Sequence, residues 1–234
     1  MPLTARAGRR AAHDRTRAES QGRERLLDVA VELFAARGIA NTTLAQIAAA
    51  AQFTAAMVHY WFDTREKLLD AVVNERLTPQ IYQIWVPGDE SYADPTEFVR
   101  RLLLRMLDVT AKARWLPSLW LREIIQEGGL LRERVLKRIP ADPNAKFRRM
   151  IVRAQERSEI DRDIAPELLF LSMLALVMVP QAAAASSAGP MVRRFNPGFG
   201  HDRTKLERHV MQLLLHGFTG TAYCPLPQRA QKPR

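Results

Sequence analysis

The sequence predicts an all-α protein: a small tri-helical unit at the N-terminus followed by a larger helical bundle. Three observations carry that expectation. Apolar residues recur at helical spacing through the first patterned segment, with Leu26, Ala30, Leu33 and Phe34 alongside Leu27 and Val31. No later stretch shows the alternation of a strand. Breaks at Pro87-Gly88-Asp89, Pro117, Gly128-Gly129, Pro140 to Pro143 and 186–200 cut the remainder into helix-sized pieces.

The elements follow in order. Residues 1–21 are basic, polar and aperiodic, and read as a flexible arm whose Arg9, Arg10, Arg15 and Arg17 can lie along phosphates or enter a minor groove. The first helix is expected from about Gly22 to Arg37, stopped by Gly38. Asn41-Thr42-Thr43 supplies caps for a second helix, about Leu44 to Ala51. A turn at Gln52-Phe53-Thr54 leads to a third, about Ala55 to Phe62, and Asp63 or Thr64 caps a fourth that runs to about Leu77. Further helices are expected near 95–113, 117–127, 130–138, 143–157, 166–186 and 203–220. The resulting division is an arm (1–21), a helix-turn-helix unit (22–77), a bundle (78–222) and a tail (223–234).

Composition narrows the function. A net charge of +10, from 35 Lys+Arg against 25 Asp+Glu, suits a polyanionic partner. One cysteine, Cys224, permits neither an internal disulfide nor a thiolate metal cluster. The longest apolar stretch, Leu168 to Val179, falls short of the ~20 residues that span a bilayer, so a buried or interface helix is expected, with no membrane and a cytoplasmic location. No secretory signal is visible. His209 and His216 are too far apart along a helix to share a metal, at roughly 10 Å. Glu159, Asp161 and Asp163 read as a helix-end loop. No P-loop, dinucleotide, nucleophile-elbow or zinc-protease motif occurs, so neither enzyme activity, a cofactor nor a metal is expected.

The motif that points to a function lies at 43–62. Leu44, Ile47 and Ala48 make one apolar face, and Phe53, Val58 and Phe62 a second; both close against Leu33 and Phe34. In such a unit the third helix enters the major groove of DNA. Its outward residues are Ala55, Ala56, Met57, His59 and Tyr60. Trp61 reads equally as a contact or as packing against the fourth helix.

Thr42-Thr43-Leu44-Ala45-Gln46-Ile47-Ala48, Ala51-Gln52-Phe53-Thr54, Met57-Val58-His59-Tyr60-Trp61-Phe62 and Arg65-Glu66-Lys67-Leu68-Leu69 together resemble the N-terminal domain of the tetracycline-repressor (TetR) family of bacterial regulators. The resemblance covers residues 25 to 72. It implies a homodimeric repressor on a palindromic operator, released when a small-molecule effector binds the bundle. By position it implies phosphate contacts from Thr43, His59 and Arg65, and a base contact from Tyr60. His59 replaces the family's usual tyrosine, and Gln52 its usual glycine, at a strain cost if that turn needs a positive φ. With Ala45, Ala55 and Ala56 unable to form bidentate base contacts, specificity is expected to lean on Tyr60, Gln46, thymine-methyl contacts from Ala and Met57, and DNA shape, with Thr54 at the helix start.

In the bundle, Trp85, Met106, Trp115, Trp120, Phe147, Met150, Phe170 and Met173 are candidates to line a site for an apolar or aromatic effector. Arg122 and Glu123 read as a solvated helix face. Leu168, Leu171, Leu174, Val210, Leu213, Leu214 and Phe218 are the candidate dimer interface, on the two helices that the resemblance places there. A same-fold regulator that activates transcription or answers a protein partner is the second reading. A helical enzyme or membrane-surface lipid-binding module is the third.

Overall fold

The computed structural model describes residues 3–85, 94–139, 144–186, 189–200 and 202–218, with side chains described from Arg17 to Leu214 within those spans. Every regular element among them is a helix. The expected breaks at Pro87-Gly88-Asp89 and Pro140 to Pro143 lie outside the described residues, as do Cys224, the 223–234 tail, and the side chains of Arg9, Arg10, Arg15, His216 and Phe218.

The N-terminal unit comprises α1 (Leu3–Arg37), α2 (Leu44–Ala51), α3 (Ala55–Phe62) and α4 (Arg65–Val72). The expected bounds of α2 and α3 hold. Those of α1 do not, because it starts at Leu3 instead of near Gly22. The segment before Gly22 has no proline after Pro2 and is rich in Ala and Arg. Such residues extend a packed helix without any apolar stripe to betray it. Past α4 the chain does not stop at Leu77. A π-helical turn, Val73–Leu77, carries it into α5, Thr78–Trp85. Pro79 has no N–H for the Glu75 carbonyl four residues back, which instead accepts from Arg76 Nη1 at 3.2 Å.

The bundle comprises α6 (Pro95–Lys112), α7 (Leu116–Trp120), a second π-helical turn (Leu121–Ile125), α8 (Arg132–Leu136), α9 (Ala145–Glu156), α10 (Pro166–Ala185), α11 (Gly189–Phe195) and α12 (Arg203–Phe218). The 186–200 stretch, expected to be a loop, contains α11; seven residues are too few for a helical period to register. The break expected at Pro117 is present, since α6 ends at Lys112 and Pro117 lies in the first turn of α7. α6 is the central strut. Its Phe98, Leu102, Leu103 and Met106 are buried, and it packs on α5, α9, α10 and α12.

α10 is longer than its twelve-residue apolar stretch, because Pro180 sits inside it and the helix continues through Ala185. At 20 residues and mean hydropathy 2.1 it is long and apolar enough, by length and composition, to cross a membrane. It packs instead against α6, α7, α9, α11 and α12. One continuous core runs from Leu26 in α1 to Leu214 in α12.

Candidate nucleic-acid interface

Three threonines start the three short helices of the N-terminal unit. Thr43 Oγ1 accepts the Gln46 N–H at 3.2 Å, and Gln46 Oε1 accepts the Thr43 N–H at 2.8 Å, a reciprocal capping box. Thr54 accepts from Met57 N–H, and Thr64, not Asp63, accepts from Lys67 N–H, each at 3.3 Å. The turn between α2 and α3 passes through Gln52 at φ 63°, ψ 38°, the left-handed conformation that the sequence made a concern. Gln52 Oε1 takes a hydrogen bond from Arg25 Nη2 at 2.7 Å.

These caps present α3 outward. Ala55, Ala56, Met57, His59 and Tyr60 are exposed, and Tyr60 is 75 % exposed. Trp61 is half-buried and packs against the core. Its ring meets Phe53 edge-on, 5.1 Å between centroids, and closes over Gly22 of α1. A Cβ at Gly22 would stand 2.9 Å from Trp61 Cη2, so glycine is what lets α1 pass there. His59 Nδ1 lies 3.1 Å from the Asp63 carbonyl. A carbonyl can only accept, so the neutral ring carries its proton on Nδ1 and leaves Nε2 an acceptor.

Arg65 differs from its expected role. Its guanidinium is half-buried and folds inward, with Nη1 donating to the Thr42 carbonyl at 2.7 Å and Nη2 to the Ile39 carbonyl. It braces the α1–α2 turn instead of facing outward. Lys67, one turn into α4, is the exposed cation, paired to Asp63 at 2.7 Å. That hydrogen bond, and then the lysine's charge, hold the Asp63 carboxyl below its ordinary range.

Glu123 overturns the solvated-face reading. It is only 5 % exposed, in the second π-helical turn. Oε1 accepts the Ile39 N–H at 2.8 Å and Oε2 the Leu130 N–H at 3.1 Å. Both backbone groups of Ile39 are thus held, its N–H by Glu123 from the bundle and its carbonyl by Arg65 from α4. Gly38 beside it has φ +85°, and a Cβ there would come within 3.5 Å of Glu123 Oε1. A second clamp lies at α8. Arg134 pairs with Glu66 and, at 3.1 Å, with Asp70 of α4, and Arg138 bonds Asn74. Nothing in the local sequence marks Glu123, because its partners are backbone amides from remote segments.

The bundle candidates are dispersed. Met106, Phe147 and Met173 are buried in the core; Trp85, Trp115, Trp120 and Met150 are half-buried against it. Trp85 stacks on Phe170, 4.3 Å between centroids. The buried Trp120 indole N–H has no acceptor among the described residues. None of these lines the large groove of the bundle, which opens between α6, α10 and α12. Among the dimer candidates, Leu168, Leu171 and Leu213 are exposed and Leu174 half-buried. Val210 and Leu214 are buried within the protomer and are core residues, not interface.

Residues 26–72, which hold this capped helix pair, match the family model of bacterial regulatory proteins of the tetR family. The transcriptional regulator AcrR of Shigella flexneri is 30 % identical over 102 residues, 41 % of this chain and 45 % of that protein, so the match spans under half of that relative. Solved structures share the fold over most of the chain. KstR2, a ketosteroid transcriptional regulator of Mycobacterium tuberculosis, superposes with a TM-score of 0.62 at 18 % identity, covering 85 % of this chain and 95 % of its own. FadR, a fatty acid degradation regulator from Bacillus halodurans, gives 0.55 at 20 %, covering 83 % and 95 %. Residues 26–72 thus match the tetR family of bacterial regulatory proteins, and the chain as a whole shares the all-helical fold of these solved structures.

Proposed function

We propose that the chain is a cytoplasmic homodimeric transcriptional repressor that binds a palindromic operator with α3 in the major groove and releases it when a small-molecule effector binds. The observation that carries this reading is the outward face of α3. Tyr60 stands exposed one turn beyond the exposed Ala56 and Met57, on a helix whose start is fixed by Thr54. Thr43 offers its hydroxyl proton to a phosphate at the α2 N-terminus while its oxygen caps the helix. Lys67 supplies the cation that Arg65, turned inward, does not. Gln46 uses Oε1 in its cap and keeps its amide protons for a base edge. Exposed Leu168, Leu171 and Val179 on α10 with Leu213 on α12 provide apolar surface for a second copy.

Titration of the full chain against duplex DNA selected from its own genome tests this. A steep fall of affinity with salt, together with a preference for one palindromic site, is expected. A monomer in sedimentation at micromolar concentration with undiminished DNA binding rejects the dimer. Tighter binding to anionic vesicles than to DNA rejects the regulator.

A further inference from the structure

Between α6, α10, α12 and the 196–200 turn lies an open-mouthed groove of about 900 Å³. That volume is at the upper end of the ~300–1,000 Å³ usual for small-molecule sites. Its floor is mainly apolar, with Leu107 and Ala111 of α6, Pro180 of α10 and Leu206 of α12. The buried hydroxyl on that floor, Thr110, is already satisfied. It donates to the Met106 carbonyl at 2.9 Å and accepts from Gln181 Nε2 at 2.8 Å. The rim is cationic: Arg114, Arg203, Lys205 and Arg208 stand against Asp202 alone. Arg203 is tied to Asp108, and Lys205 Nζ to the Gly198 carbonyl at 3.1 Å. Arg114 and Arg208 have no hydrogen-bond or ion-pair partner among the described residues, so the rim keeps two unmatched positive charges above an apolar floor.

We propose that this groove is the effector site and that it takes a monoanionic amphiphile, an apolar chain or ring system ending in one carboxylate or sulfonate. The inference rests on the effector reading above and names the ligand class and place. The apolar body lies on Leu107, Ala111 and Leu206, and the anionic head meets Arg114 and Arg208 in charge-assisted hydrogen bonds. The position also suits a trigger. Arg114 stands at the α6–α7 corner, and α7 leads directly into the turn that carries Glu123.

Calorimetric titration of the full chain with decanoate, below its micelle concentration, tests the site against decanol and decyltrimethylammonium, its neutral and cationic counterparts. Decanoate is expected to bind one per chain, decanol about tenfold more weakly, and the cation not at all. Arg114→Ala and Arg208→Ala should each weaken decanoate by about tenfold with melting temperature unchanged. Ala111→Trp should fill the groove and abolish binding; if it fails to fold, the double variant R114A/R208A must abolish binding instead. Equal affinity for all three probes, wild-type affinity in these variants, or capture of phosphatidylglycerol vesicles in place of monomeric decanoate overturns the proposal. Operator binding on the same preparations separates the two readings. Failed decanoate binding with intact DNA binding rejects the groove alone, whereas decanoate binding without DNA binding rejects the regulator and leaves the site standing.

Discussion

The short helices of the N-terminal unit and most helices of the bundle are started by different physics. α2, α3 and α4 are eight residues each, and each opens on a threonine that accepts the N–H three residues on. α7, α8, α9 and α10 open with no side-chain cap, their first turns set by packing. Eight-residue helices do not persist alone in water, so the caps fix where α3 begins and thereby where Tyr60 points. Among the described residues, only α6 and α12 of the bundle share the device, through Asp94 and Asp202; burial along the helix holds the uncapped ones. Between the two regions lies the Ile39–Glu123 junction, which belongs to neither scheme.

The sharpest way to break this comparison is at that junction. Glu123→Ala leaves two buried amides without an acceptor and should cost about 3 kcal/mol in urea unfolding. A loss below about 1 kcal/mol would show that water substitutes for the carboxylate and that the regions are held by apolar contact alone. Next in size is Tyr60→Ala, expected to weaken operator binding by about 2 kcal/mol while leaving the melting temperature in place. An equal loss on matched and mismatched sites would reduce Tyr60 to a phosphate contact. Thr43→Ala should cost about 1 kcal/mol of stability, largely restored by Ser.

Gln52→Gly should run the other way, raising stability by about 0.5–1 kcal/mol by relieving the left-handed strain. No gain would mean that the Arg25 bond offsets it. The smallest effect concerns acid. The Arg100 hydrogen bond, then that of Arg101, lowers the half-buried Glu97 carboxyl to about 2, and Arg23 lowers that of Glu75. A lowered carboxyl contributes stability above its ordinary range and loses it as pH falls through the folded value. Melting temperature should therefore sag from about pH 4.5 down toward 2, and Glu97→Gln should flatten that sag slightly.

The same contrast explains what the sequence disclosed. The bounds of α2 and α3 were legible because their signals, Thr43 to Gln46 and Thr54 to Met57, lie within one turn. Asp94 did the same for α6, accepting from Thr96 and Glu97. The long start of α1 was not legible, because residues 3–21 carry no apolar period to read. The inward turn of Arg65 depended on carbonyls more than twenty residues away, and the burial of Glu123 on an amide 84 positions distant. Met106, Phe147 and Met173 share size and apolarity with residues that line ligand sites. Those properties fill a core as readily as they line a groove, and the groove was marked instead by unmatched arginines.

The doubly held Ile39 backbone bears on how far this reading head is a detachable part. A graft of residues 1–85 onto a foreign bundle would carry Arg65 with it but leave the Ile39 amide without its acceptor. Aspartate at the receiving position would be too short to span both amides, and glutamine would turn one of its own donors toward a donor. A working chimaera would therefore have to import the 121–131 segment as well, which sets the smallest transplantable unit at two pieces of chain rather than one.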